Sequence, residues 1–264
     1  LLTGRHHWRK FHGIVNAFGD SAFDADRLTM PEMLKQCGYA TAAIGKWHLG
    51  WNWDAIKKPG AKPIKQGKKS GYGPDAFDWS KSIPNGPLDH GFDYYFGDTV
   101  INFPPYCWIE NDKVVDIPDT VMDTSKWKKI KEGGWECRPG PMFSGWDPYE
   151  NIPTTTQKAV EYVKKQASND KPFFLYCPWT PPHAAYQIPE DEPAWKMYKD
   201  KPWPHDARVA AAMDTMMDRH VGEITALLKK LGIYQNTLMF FTSDNGAAKR
   251  FDGIHNSSGI MQGK

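Results

Sequence analysis

The sequence predicts an α/β fold, with a mostly parallel or mixed central sheet flanked by helices. Two observations carry this. Three helix-then-strand units recur along the chain, and the strand of each runs into a polar loop ("GKWHLG", "PWTPPHAAY" and "SDNGAAK"). Strands linked through helices build parallel sheets, and ligands gather beyond the carboxyl ends of such strands.

The first unit is "LTMPEMLKQCGYATAAIG". Thr29 is placed as N-cap, Pro31 lies in the first turn, Glu32 completes a capping box and Gly38 is the stop. "YATAAIG" follows as a short buried strand. The second unit is a helix over 154–167, with Val160, Val163 and Ala167 on one face, and the strand "PFFLYCPW". The third has the longest apolar stripe. Met213, Met217, Val221, Ile224, Leu228 and Leu231 recur at helical spacing from about Ala207, and Gly232 ends the run before "NTLMFFTSDNG". Residues 51–153 differ in character. The Lys-, Pro- and Gly-rich stretch from Lys57 to Pro74 reads as a solvated loop, and "DHGFDYYFGD" with "PPYCWIENDKVVDIP" as packed loops and a short hairpin.

Composition bounds the function. The chain has 264 residues, 40% hydrophobic and 24% charged, enough for one large domain or two smaller ones. A net charge of +2 gives no bulk electrostatic case for nucleic acid or an anionic membrane as partner. No apolar run is long enough to span a bilayer. Twelve Trp, eleven Tyr and thirteen Phe make the chain aromatic-rich, which suits either core packing or stacking on sugar rings. The four cysteines lack zinc-ligand spacing. Cys37 and Cys177 are expected to be buried thiols, while Cys107 and Cys137, in loop-rich sequence, are open to pairing or not. The chain opens on "LLTGR" without Met and stops at "MQGK", and is expected to be an internal piece of a longer protein.

The chemistry concentrates at the strand ends. In "AAIGKWHLG", side-chain alternation sets Lys46 and His48 on one face and Trp47 on the other. Two cationic groups side by side repel unless an anion lies between them. His183 follows a double proline that is expected to hold the backbone extended. Asp244 and Asn245 offer the hard oxygen donors that suit Ca²⁺ or Mg²⁺, although Asp-Asn-Gly is also good turn chemistry. Together these groups suit hydrolysis of a tetrahedral oxyanion ester: metal and lysine neutralise the anion and histidines move protons.

These motifs resemble the type I sulfatases of the alkaline phosphatase superfamily. "LLTGR" is similar to the tail of the family's C-x-P-S-R-x-x-L-L-T-G signature, and "GYATAAIGKWHLG" to its second signature. "LDHGFDYYFG", "PFFLYCPWTPPHAAYQIPE" and "TLMFFTSDNGA" match further landmarks in order, so the resemblance spans the whole chain, 1–264. It implies a cysteine or serine upstream of Leu1 that becomes formylglycine, whose hydrate attacks sulfur, with Ca²⁺ binding both sulfate and hydrate. Asp244 and Asn245 would then ligate Ca²⁺, and Lys46 would contact sulfate and nucleophile. His48 would take the hydrate's proton, and His183 would contact sulfate and assist the leaving alcohol. The implied substrate is a sulfated carbohydrate or aryl sulfate, walled by the aromatic segment 94–108 and the loops around Trp195 and Trp203. The implied location is periplasmic, secreted or lysosomal. The paired N-terminal aspartates of the family's calcium shell would also precede Leu1, and the family's smaller C-terminal domain is expected to be absent from this piece. A sulfate-contacting lysine is expected at or just past Lys264, with Gln262 where arginine is usual. The piece alone is therefore expected to be inactive. A phosphomonoesterase or phosphodiesterase of the same superfamily, or a non-catalytic binder of sulfated glycan, are the competing readings.

Overall fold

The computed structural model describes residues 1–10, 12–24, 26–125, 137–183, 186–247, 251 and 253–257. The expected lysine position at Lys264, and Gln262, lie outside the described residues. The strands are β1 (Ala40–Ile44), β2 (Pro63–Gln66), β3 (Lys69–Tyr72), β4 (Tyr94–Gly97), β5 (Ile109–Glu110), β6 (Lys113–Val114), β7 (Thr120–Val121), β8 (Pro141–Met142) and β9 (Phe173–Tyr176). The α-helices are α1 (Met30–Gln36), α2 (Asn151–Ala167), α3 (Pro193–Tyr198) and α4 (His205–Lys230). The described residues cluster into two compact units, one within 1–180 and the other within 181–264.

The first unit holds the mixed α/β sheet, in the order β6-β5-β4-β1-β9. β1 pairs parallel with β4 and with β9, while β5 and β6 add antiparallel edges. The α1 boundaries follow the predicted chemistry: the Thr29 hydroxyl accepts from the Glu32 amide, and the Glu32 carboxylate accepts from the Thr29 amide at 2.7 Å. Gly38, at φ +87°, lies just beyond the C-cap Cys37. α2 begins three residues before the predicted start, and buries Ile152, Thr155, Ala159, Tyr162, Val163 and Gln166 along one stripe. Beneath β1 lies an aromatic core of Trp47, Trp51, Trp53, Phe77, Phe92 and Tyr95.

Several expectations are corrected. "YYFG" is not a loop but the strand β4, whose register against β1 pairs Ala42 with Tyr94 and Ile44 with Phe96. Its flanking Gly and Asp residues mimic loop punctuation, and the parallel neighbour decides the outcome. The Lys-rich stretch carries the antiparallel hairpin β2–β3. The predicted third strand is not formed. Residues 237–242 run as irregular chain, with Leu238 79%, Phe240 86% and Phe241 73% exposed. An apolar run becomes a strand only when an adjacent edge takes up its backbone groups, and no described residue does so here.

In the second unit, α3 packs on α4. The buried stripe of α4 runs through Met213, Met216, His220, Ile224 and Leu228, so Met217 and Val221 sit at its margin and Leu231 is exposed. Gly232 ends the helix as expected, at φ +73°.

Cys37 is exposed rather than buried, because the C-cap of a short helix faces solvent. Cys177 is half-buried just past β9, and burial pushes its thiol up to about 12. Cys107 and Cys137 are both buried, and among the described residues they form no disulfide.

Candidate active site

The site in the first unit begins where β1 ends. Gly45 takes φ +134°, and a Cβ there would stand 2.6 Å from the Pro178 carbonyl oxygen. A Cβ on Gly97 would stand 1.8 Å from the Gly45 carbonyl oxygen. These two glycines let the ends of β4, β1 and β9 close to backbone contact. β1 stops at Ile44, yet the next residues remain clamped between their neighbours. The Gly45 amide donates to Phe96 (2.8 Å), the Lys46 amide to Pro178 (2.9 Å) and the Trp47 amide to Asp98 (2.8 Å). Donation to alternate sides is the habit of extended chain.

Lys46 and His48 are accordingly half-buried, while Trp47 between them is 1% exposed and donates its indole N–H to the Gly50 carbonyl at 3.1 Å. The predicted alternation holds past the end of the strand. The His48 ring is held by a hydrogen bond and by an aromatic contact. Its Nε2 lies 2.7 Å from the Val15 carbonyl oxygen, and Phe103 meets it edge-on, with centroids 5.3 Å apart and planes at 85°. A carbonyl only accepts, so Nε2 carries the hydrogen and Nδ1 is the proton acceptor of the neutral ring. His48, Phe103, Val15 and Trp51 line an open cleft of about 240 Å³.

Sequence reasoning missed Asp98. It follows β4 directly, and is buried at 1% exposure. Its Oδ2 accepts from the Asn151 amide at 3.1 Å, and its Oδ1 is buried with no hydrogen-bond partner among the described residues. The Tyr95 hydroxyl reaches both the Gly45 (3.2 Å) and Asp98 (3.0 Å) carbonyls, tying the two strand ends together. Burial pushes the Asp98 carboxyl up to about 6, against the opposing field of the Lys46 ammonium and the Asn151 hydrogen bond. The only signal in the sequence is its place after "LDHGFDYYFG", where no motif marks a lone aspartate.

The remaining site residues belong to the second unit. His183 is exposed, and the Pro181–Pro182 peptide before it is cis and forms a turn in place of the expected extended chain. Asp244 and Asn245 are exposed in the loop 242–247. The Ser243 hydroxyl donates to the Asn245 carbonyl at 2.7 Å, and the Asn245 side-chain amide donates to the Gly246 carbonyl at 2.9 Å. That contact engages the amide nitrogen, so the Asn245 Oδ1 and the Asp244 carboxylate are the hard oxygens this pair can offer. Two hard oxygens fit Ca²⁺ in kind, against the six to eight that the ion takes. Among the described residues, no group of three or more His, Cys, Asp or Glu could hold a metal.

The aromatic walls are corrected in part. Tyr95, Phe96 and Tyr106 are core residues, since an apolar ring gains more from burial among its neighbours than at a wet surface, whereas Phe103, though 5% exposed, lines the His48 cleft. Trp195 lies in α3, edge-on to His205 at 5.8 Å, and Trp203 stacks on Tyr198 at 6.1 Å.

Comparison with known proteins covers the same stretch of chain. The Sulfatase family model matches residues 1–257. The chain is 30% identical to human N-acetylgalactosamine-6-sulfatase over 260 residues, covering 94% of this chain and 40% of that protein. It is 27% identical to the N-acetylgalactosamine-6-O-sulfatase of Bacteroides thetaiotaomicron, covering 100% of this chain and 53% of the relative. A solved structure described with the metabolism of multiple glycosaminoglycans by that bacterium superposes with a TM-score of 0.66 at 26% identity, over 93% of this chain and 51% of its own. The chain thus spans about half the length of these relatives or less. By the span of that family match, with a mixed sheet that superposes on a solved relative, the chain belongs to the sulfatase family.

Proposed function

We propose that the intact protein hydrolyses a sulfate ester on a carbohydrate, a 6-sulfated N-acetylgalactosamine or a close analogue. The observation that carries this is the pairing of Lys46 with His48 on one clamped segment, each half-buried and separated by the buried Trp47, inside a sulfatase-family match. The substrate class is suggested by the relatives' names.

In this reading Lys46 holds the sulfate oxygens by charge. His48, anchored through Nε2 to Val15, accepts the nucleophile's proton at Nδ1. His183 assists the leaving alcohol. Asp244 and Asn245 contribute oxygens to a Ca²⁺ ion, which when bound would offset the charge of sulfate. The nucleophile is a formylglycine made from a cysteine or serine upstream of Leu1. Location outside the cytosol, exported or lysosomal, belongs to the same reading. Among the described residues no helix is long and apolar enough to cross a membrane.

The test is product analysis on the intact protein with N-acetylgalactosamine 6-sulfate and the matching 6-phosphate. Release of inorganic sulfate is expected. Phosphate release alone would favour a phosphoesterase, and tight binding with neither product would favour a glycan binder.

A further inference from the structure

Arg138 stands beside the His48 cleft, and the proposed chemistry does not use it. Its guanidinium lies over the face of Phe103, 3.8 Å from the ring centroid, and Phe103 is the ring that meets His48 edge-on. The guanidinium is therefore a single phenyl ring from the candidate proton acceptor. Nη1 also reaches the Asn16 side-chain oxygen at 3.4 Å, and both Asn16 and Phe103 line the cleft.

The backbone at this position is built rather than loose. The buried Tyr106 hydroxyl accepts from the Arg138 amide at 2.9 Å and lies 2.8 Å from the Arg138 carbonyl oxygen. The Tyr106 amide donates to Pro141 at 2.9 Å, holding the two segments together. Arg138 is half-buried, and burial pulls its pKa below the usual guanidinium value. Among the described residues no carboxylate pairs with it. A planar, partly desolvated guanidinium on an aromatic face is a strong receptor for a carboxylate or sulfate, which it binds with two parallel hydrogen bonds.

We infer that Arg138 forms an anion subsite next to the reaction centre, selecting substrates that carry a second acidic group beside the sulfate being removed. The inference rests on the sulfatase reading above and adds to it the charge of the neighbouring substituent.

The test uses the intact protein and three sulfated disaccharides: one with an adjacent uronate, its neutral methyl ester, and one with a second sulfate in place of the uronate. The wild type is expected to prefer the acidic substrates over the neutral ester in kcat/KM. In Arg138→Gln that ratio should fall tenfold or more, and Arg138→Lys should restore part of it. The uronate and disulfate arms show which acid the subsite takes. An unchanged ratio in Arg138→Gln, or no preference in the wild type, would overturn the inference. If Arg138→Gln does not fold, the wild-type preference must shrink as salt is raised, and a salt-independent preference counts against the subsite. If no ester is turned over, the sulfatase reading fails on its own. Calorimetry with the uronate sugar and its methyl ester then decides the subsite: equal affinities, or a preference kept by Arg138→Gln, would refute it.

Discussion

The Trp47 amide donates to the Asp98 carbonyl at 2.8 Å, so the segment bearing Lys46 and His48 is fastened to the residue whose buried carboxylate feels the Lys46 charge. Burial raises the folded-state pKa of Asp98 to about 6, above the ~3.9 of an unfolded aspartate. The folded state thus favours the protonated form. Its contribution is complete below about pH 4 and is lost as pH rises through 6. A rise of this size corresponds to roughly 2–3 kcal/mol. Asp98→Asn should therefore raise the melting temperature at pH 8 and leave it nearly unchanged at pH 4. Thermal denaturation across that range checks this; a variant less stable at pH 8 would mean that the Lys46 attraction outweighs the burial cost.

Gly97 faces backbone first: a Cβ would lie 1.8 Å from the Gly45 carbonyl oxygen, and 2.8 Å from the hydroxyl of the buried Tyr95. Gly97→Ala should cost roughly 1–3 kcal/mol or prevent folding, on the scale of overpacked cores. Denaturant unfolding measures it. Gly60→Ala, at a position with open space, serves as the control for handling and is expected to lose less, through its positive φ alone.

His48→Ala should lower kcat for sulfate release by roughly 10²–10⁴-fold while leaving the fold intact. Circular dichroism and steady-state kinetics on the intact protein test this together. A rate within a few-fold of wild type would remove His48 from the proton-transfer role.

Asp244→Ala in the intact protein should lose bound calcium, measured by elemental analysis after dialysis. Undiminished metal content would overturn the ligand assignment. The measurement does not depend on turnover.

The α1 cap is a smaller, purely structural case. Thr29→Ala removes the hydroxyl that accepts from the Glu32 amide, and that also lies 2.9 Å from the His90 carbonyl oxygen. A loss of about 1 kcal/mol is expected in chemical denaturation, the usual worth of an N-cap.

The sequence by itself determined whatever rests on local geometry. The Thr29–Glu32 capping box, the Gly38 and Gly232 stops, and the alternation of Lys46, Trp47 and His48 are settled within a few residues, and each stands where the pattern put it. The motifs that resemble sulfatases were legible for the same reason, since they are contiguous runs. Tertiary structure decided everything that needs a neighbour. "YYFG" is a strand because β1 accepts it, whereas the more apolar 237–242 has no ladder partner among the described residues. The α4 stripe turned from Met217 and Val221 toward Met216 and His220, because periodicity gives the pitch of a helix but not the direction of its core. Asp98 and Arg138 carry no motif. Their meaning comes from burial beside Lys46 and from an aromatic ring shared with His48, and neither relation exists until residues far apart in the chain are brought together.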